Sequence, residues 1–391
     1  MQNLLVISST PVEVCGDDIT LDDKFIEGMS YYSKLWAGNV GCLILDHDEK
    51  VSFGKKYDVS KLPFTIKIKK KTESIDSKDI ENFDIILASG DSSEQLFLAD
   101  YCKNKKEKVV FAIENTLDAK IDMLYLDKSR GFIKKAYSVF WLLKHEILRR
   151  RAFRQADGLQ FNGYPAYYAY SNKNWNILQY LDNRIGDKLL ATNEEMAARQ
   201  RRSENGDQLN LIHSGRLEPI KGSQDLIPIA CKLMYEGIDY KLNIFGSGSL
   251  EDEIKNGIIK YGLQDRVFLH GPVNFETELV PYARTQGDAY LSCHRQSDPS
   301  CTYLESMGCG LAVIGYGNSM WSSLWRDSGA GWAVPLADLN ALCKSVVQAS
   351  ENRFDLNRRC VAAREFAGAH TFEREFGRRI EHLRAIANRD P

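Results

Sequence analysis

Short apolar runs recur along the chain, and most are followed by a turn and a stretch with helical spacing. In the first half the runs lie at 4–9 (LLVISS), 41–46, 83–89, 108–114 and 158–163. Most are nearly continuous in Val, Ile, Leu and Phe, the signature of strands buried on both faces. Between them, 91–104 reads as a helix that opens with Ser92 and Gln95 at the spacing of a capping box. The second half repeats the rhythm more cleanly. Strands are expected at 209–215, 240–246, 266–271, 288–293, 311–316 and 331–335. Helices follow near 221–236, 249–261, 276–285, 301–309, 319–327 and 336–349, each opened by a small or polar residue. Strands alternating with helices imply parallel sheets covered on both faces. The second half is patterned like a doubly wound, nucleotide-type sheet.

A chain of 391 residues is longer than one core usually serves, so two domains are expected. The polar stretch 191–208, with its Asn-Gly step, reads as the linker between them. This gives a first Rossmann-like domain over 1–190, a second domain over 209–369, and a C-terminal helix over 370–391 that packs back on the first. Apolar residues at 43% and charged residues at 27% are a core-forming composition. A net charge of −2 argues against a whole-protein polyanion binder. The nine cysteines show no Cys-x-x-Cys pairing and fit reduced thiols better than disulfides or zinc. The start, MQNLLVISS, lacks the basic and long apolar regions of a signal peptide, and no window approaches the ~18 apolar residues of a membrane span. A cytoplasmic location is expected.

In an open parallel sheet, ligands bind beyond the carboxyl ends of the strands. After 209–215 come Gly215, Arg216 and, five residues on, Lys221. After 240–246 comes the turn Gly246-Ser247-Gly248-Ser249. After 288–293 comes HRQSDPSCTYLESMGCG, with the small residues Ser300, Cys301 and Thr302 ahead of Glu305. Two cations and helix starts converging on one crevice suit a diphosphate. A solvated cation pair and a plain glycine turn are the structural alternatives. Glu305 lies one helical turn past the small residues; a carboxylate there can accept two hydrogen bonds from a ribose diol. Its alternatives are a capping glutamate and a surface ion pair.

The segments SGRLEPIKGSQDLI, LNIFGSGSLEDEI, GLQDRVFLHGPV and LESMGCGLAVIGY occur in order over roughly 209–350. Together they resemble the donor-binding domain of glycosyltransferase family 4, the retaining GT-B enzymes. The resemblance implies two Rossmann-like doubly wound domains facing across a cleft, and a nucleotide-diphosphate sugar as co-substrate with no further cofactor and no metal. It also implies that Arg216 and Lys221 neutralise the diphosphate and that Glu305 holds the ribose. A second glutamate that the family often carries eight residues earlier is Ser297 here, with Asp298 beside it as the candidate for the sugar. The family's histidine near the reacting carbon has no counterpart; its stretch offers Glu114 and Asn115. The glycine-rich first loop is likewise replaced, by Gly16, Asp17 and Asp18.

One stretch lies outside this scheme. Residues 128–154 hold nine Lys or Arg and a single acid, Glu146, with Phe132, Tyr137, Phe140, Trp141 and Leu148 placed for one apolar side of a helix. A basic amphipathic helix reads as an element for an anionic membrane surface, here the inner face of the cytoplasmic membrane. A solvated helix with core aromatics is the alternative, and no nucleic-acid motif accompanies the run. The expected function is sugar transfer, with retention, to a glycan or lipid-linked acceptor in bacterial surface polysaccharide synthesis. Three rivals are a GT-B enzyme with a soluble acceptor, a nucleotide-sugar epimerase, and a catalytically silent donor-binding subunit.

Overall fold

The computed structural model describes residues 2–16, 18–46, 51, 54–70, 72–126 and 131–389. The chain forms two compact units: Met1–Leu117 with Phe132–Tyr180 and Arg374–Pro391, and Asp118–Gly131 with Leu181–Glu373.

The first unit is built on a seven-stranded parallel sheet. Its strands run, edge to edge, Ile177–Tyr180, Gly158–Asn162, Lys108–Ile113, Ile85–Ser89, Leu4–Ser8, Val40–Asp46 and Thr65–Lys70. Chain order therefore reverses between Leu4–Ser8 and Ile85–Ser89, the doubly wound pattern. The core is made by the strand interiors, among them Leu5, Ile7, Ile86 and Phe111, with Phe153 and Tyr170 from the covering helices. The two outermost strands were not apparent in the sequence. Both lie at sheet edges and break the apolar run: Thr65–Lys70 reads Thr-Ile-Lys-Ile-Lys-Lys, a lysine-rich edge of the kind that discourages pairing with another chain.

Three further stretches of this unit differ from their sequence reading. Residues 91–104 are turns followed by a short helix, Leu98–Cys102. Gln95 makes no capping box; its side chain is buried, and its carbonyl accepts from the amide of Ser89. Gly16 and Asp18 belong to a hairpin, not to an open loop. They lie at the turn of a hairpin, Glu13–Cys15 with Asp18–Asp22, continued antiparallel by Gly54–Asp58, and Asp17 falls outside the described residues. The basic stretch becomes the helix Phe132–Gln155, residues 128–130 lying outside the described residues. Its Arg149, one of the cations of the basic run, is buried along with Glu146, Ala152 and Phe153.

The second unit carries a six-stranded parallel sheet in the order Val267–Gly271, Tyr240–Phe245, Leu209–Ser214, Ala289–Ser292, Ala312–Tyr316 and Gly331–Val334. In chain order this is 3-2-1-4-5-6, with the switch point between Leu209–Ser214 and Ala289–Ser292. The helix expected at 276–285 begins one residue earlier as a wide turn, Phe275–Leu279, and continues as Val280–Gln286.

Residues 191–208 are not a linker. They hold the helix Asn193–Glu204, opened by a capping box in which Thr192 and Glu195 exchange side-chain-to-amide hydrogen bonds. Its Arg199 is fully buried in the second unit and donates to the carbonyls of Gly287, Gly310, Ala283, Arg284 and Cys309. The boundary also moves from 190 to 180. Asn183 donates to the carbonyl of His370, and Ile185 lies where a Cβ on Gly308 would touch it, all within the second unit. The C-terminal helix Phe372–Ala387 groups from Arg374 onward with the first unit, where Gln160 donates to the carbonyl of Arg379.

Candidate functional site

The second sheet's switch point is flanked by the loops that leave Leu209–Ser214 and Ala289–Ser292. Each carries part of the predicted cluster, and two glycines shape the first loop. Gly246 has φ +126°, and a Cβ there would lie 2.0 Å from the carbonyl of Gly215. The turn at 246–248 is thereby packed against 215–217, joined by the amide of Leu217 donating to the Ser247 carbonyl at 2.9 Å. The glycines of the GSGS turn thus serve close backbone approach. The following helix, Glu251–Lys260, starts with Glu251, Asp252 and Glu253, and the Ser249 amide is taken by Glu218 at 2.9 Å. Three acids already balance that helix end, so it is a poor place for phosphate.

Gly222 sets the lysine. It ends the one-turn helix Pro219–Lys221 in the left-handed conformation, φ +73°, and a Cβ there would strike the Cys293 carbonyl at 1.8 Å. Only glycine lets the two loops come this close. Lys221 is consequently buried, with Nζ 2.5 Å from Asp298 Oδ2 across the switch point. Arg216, five residues earlier, is exposed.

On the second loop, Ser300 donates its amide to the carbonyl of Asp298 at 2.8 Å, and its hydroxyl lies 2.9 Å from that of Thr302. Cys301 Sγ is 4.0 Å from Asp182. The helix that follows, Thr302–Gly308, has only seven residues, and its dipole is correspondingly short. Tyr290, fully buried, ties the two strands' ends together: its hydroxyl donates to the Ser214 carbonyl at 2.9 Å and bonds the Thr302 side chain. Burial pushes that phenol up to about 12. His294 is buried and held well below the usual imidazole range, first by burial and then by the charge of Lys221.

Glu305 is neither a helix cap nor a surface charge. It is 5% exposed and accepts from Arg184 through both oxygens, Nε at 2.8 Å and Nη2 at 3.3 Å. The guanidinium of Arg184 also stacks 4.0 Å from the ring centre of Phe275. Both partners were missed in the sequence. Arg184 sits in an irregular segment, 121 positions from its carboxylate, with no periodic signal. Ser297, standing where the family's other glutamate falls, accepts from the amide of Ser319 and so serves the next helix start.

In the first unit, Glu114 is exposed at the end of its strand. Its amide donates to Asp91 at 2.8 Å, and its carboxylate accepts from Asn162 at 3.1 Å. Arg149 holds this loop. It donates to Asp91 at 2.9 Å, to the carbonyls of Gly90 and Asn115, to Glu146 at 3.0 Å and to the hydroxyl of Tyr170. All five N–H directions of the guanidinium are used within one buried network.

The helix Phe132–Gln155 shows a wide apolar face. Phe132, Ile133, Tyr137, Phe140, Trp141, Leu143, Ile147 and Leu148 are exposed. At 100° per residue they span about half the circumference. Lys144, Arg151 and Arg154 are exposed on that same half, because the opposite side is buried by Glu146, Arg149, Ala152 and Phe153. Cations and apolar groups are therefore interspersed and not segregated. No helix among the described residues is long and apolar enough to cross a membrane.

Comparison with known proteins bears on this arrangement. Residues 195–365 match the family model described as Glycosyl transferases group 1. No curated protein sequence is matched. Among solved structures, Anabaena Alr3699/HepE in complex with UDP aligns with a TM-score of 0.69 at 12% identity, covering 98% of this chain and 100% of that one. A glycosyltransferase from Rickettsia africae ESF-5 gives 0.63 at 12% identity, covering 100% and 99%. WaaG, a glycosyltransferase involved in lipopolysaccharide biosynthesis, gives 0.60 at 12% identity over 97% and 99%. These likenesses show that the two parallel-sheet α/β units are those of the GT-B fold.

Proposed function

We propose that this chain, whose residues 195–365 match the family model of glycosyl transferases group 1, moves a sugar, with retention, from a nucleotide-diphosphate sugar to a glycan or lipid-linked acceptor. The observation that carries the reading is that Arg216 and Lys221 follow one strand of the switch point while Glu305 lies on the helix that follows the other. The two cations would take the charge that develops on the departing diphosphate, without a metal ion. Glu305, set by Arg184, would accept the ribose hydroxyls. Asp298 would face the sugar. Glu114 would orient the acceptor hydroxyl from its exposed place at a strand end. HepE, solved with UDP and with UDP-glucose, supports a uridine nucleotide as the first donor to try. WaaG's role in lipopolysaccharide biosynthesis supports a surface-glycan acceptor. The apolar and cationic face of Phe132–Gln155 supports an acceptor held at an anionic membrane surface, each Lys or Arg adding about 1 kcal/mol there.

The test is donor turnover, followed as nucleoside diphosphate released from UDP-glucose and its ADP and GDP counterparts, with and without acceptor. Arg216→Met and Lys221→Met should each lower turnover at least about 100-fold, the scale of removing a group that stabilises transition-state charge, with the exposed Arg216 replaced at unchanged melting temperature and both variants folded by circular dichroism. Near-normal rates in both variants would sink the assignment. A second reading is a donor-binding subunit without turnover. Ser297 favours it, being bound to the Ser319 amide where the family's glutamate would stand. Binding without release of diphosphate by the wild type would establish that reading instead.

A further inference from the structure

Lys221, the buried cation of the site, is already engaged. Its ammonium lies 2.5 Å from Asp298, and the two side chains are 10% and 21% exposed. The carboxylate's other oxygen, Oδ1, is buried and has no hydrogen-bond partner among the described residues. Its loop neighbours divide into two kinds. Arg295 is locked onto Asp225 at 2.7 Å and Ser297 onto the Ser319 amide. His294 Nδ1 and Gln296 Nε2, by contrast, are buried polar atoms without partners among the described residues. Alternate residues 294, 296 and 298 of this loop thus hold unused hydrogen-bonding capacity.

Now consider a diphosphate arriving at Lys221. A carboxylate and a phosphate sharing one ammonium repel each other strongly where little water screens them. The ligand and the Asp298 carboxylate cannot both sit on the ammonium, so the carboxylate must move aside. A displaced carboxylate stripped of its partner is costly unless it finds new donors. A sugar attached to the diphosphate brings hydroxyl groups; a bare nucleoside diphosphate brings none at that end.

We infer that Asp298 is a resident counter-ion of Lys221, which donor diphosphate displaces, and that the freed carboxylate binds the donor's sugar hydroxyls, so that this residue favours the sugar nucleotide over the bare diphosphate. The inference rests on the donor-site reading above. It assigns Asp298 two successive partners and makes it a specificity-determining residue that also assists product release. Once the sugar has left, Asp298 returns to Lys221 and expels the diphosphate.

Calorimetry with UDP and UDP-glucose, and with the ADP and GDP pairs in parallel, tests this on wild type, Asp298→Asn, Lys221→Met and the double variant. Asn keeps the shape and leaves the Ser300-to-Asp298 backbone turn untouched. In Asp298→Asn, the bare diphosphate should bind about tenfold tighter, equivalent to ~1.4 kcal/mol, and the preference for the sugar nucleotide should fall. In the Lys221→Met background the same change should have less than about a twofold effect, since no ion pair is left to break. Unchanged or weaker diphosphate binding in Asp298→Asn overturns the inference, as does a tenfold gain that persists without Lys221. Circular dichroism confirms folding, with Asp298→Ser as the alternative variant. If the wild type binds and turns over donor but Asp298→Asn gains no diphosphate affinity, this inference alone fails. If the wild type binds none of the six ligands, the donor-site reading fails and takes the inference with it.

Discussion

Replacing Arg184 by Met should both destabilise the second unit and weaken nucleotide binding, although Arg184 is the half-exposed partner of its pair. Glu305 has a side chain only 6% exposed, and Arg184 supplies it two hydrogen bonds. Stranding the carboxylate of a fully buried pair costs about 3–5 kcal/mol. Arg184 is 38% exposed, so water can partly replace it. A charge-assisted hydrogen bond is worth ~1.5–3 kcal/mol and the stacking on Phe275 ~0.5–1. Methionine keeps the stem's packing, which leaves a net loss of ~2 kcal/mol. For a unit of this size that lowers the melting temperature by about 4–8 °C. Glu305→Gln should weaken UDP binding by about 10- to 150-fold through loss of one charge-assisted bond. The double variant should be less destabilised than the sum of the singles, with a coupling of ~1–2 kcal/mol, because Gln leaves no charge to strand. Scanning calorimetry measures the stability cycle and titration calorimetry the affinities. Strictly additive stabilities would refute the reasoning, as would Arg184→Met with unaltered melting and affinity, since the pair would then be a solvated contact.

Two further outcomes follow from local geometry. Gly222→Ala places a Cβ against the Cys293 carbonyl and forces a left-handed φ on alanine, a conformational penalty of ~1–2 kcal/mol before any clash; UDP affinity should fall more than thermal stability, and an unaffected affinity would show that the loops need not touch. Phe140→Glu and Trp141→Glu on the exposed face of Phe132–Gln155 should abolish flotation with phosphatidylglycerol vesicles while neutral phosphatidylcholine vesicles never recruit the wild type; equal recruitment by both lipids would remove the anionic-surface proposal.

How much of this was legible depends on whether a feature is written in contiguous residues. All six strands of the second sheet follow from their apolar runs. So does the neighbourhood of Lys221 and Glu305, because each lies a fixed few residues beyond a strand end. What escaped has its cause elsewhere in the chain. Thr65–Lys70 is held by pairing with Val40–Asp46, not by its own lysine-rich pattern. Ser92 and Gln95 have the right spacing for a cap, but Gln95 is claimed by the buried amide of Ser89. Arg149 looked like one more cation in a basic run, until Asp91 and Asn115 from two other loops are seen around it. The stretch 191–208 looked like a linker because a helix that buries one arginine and little apolar surface leaves no hydrophobic stripe to read.

That arginine has a practical meaning for anyone dividing the protein. The carbonyls that Arg199 collects include Cys309 and Gly310, just past the end of the Glu305 helix, and Gly287, just past the end of Val280–Gln286. One side chain plugs the negative ends of two helices at once, and a lysine, with no planar fork, could not reach the same set. A fragment begun at residue 209 would strip those carbonyls of their donor and uncover the surface the helix Asn193–Glu204 covers, and it would also lack Arg184. The second unit of this chain, as a separable piece, therefore begins before the stretch that looks most like a place to cut.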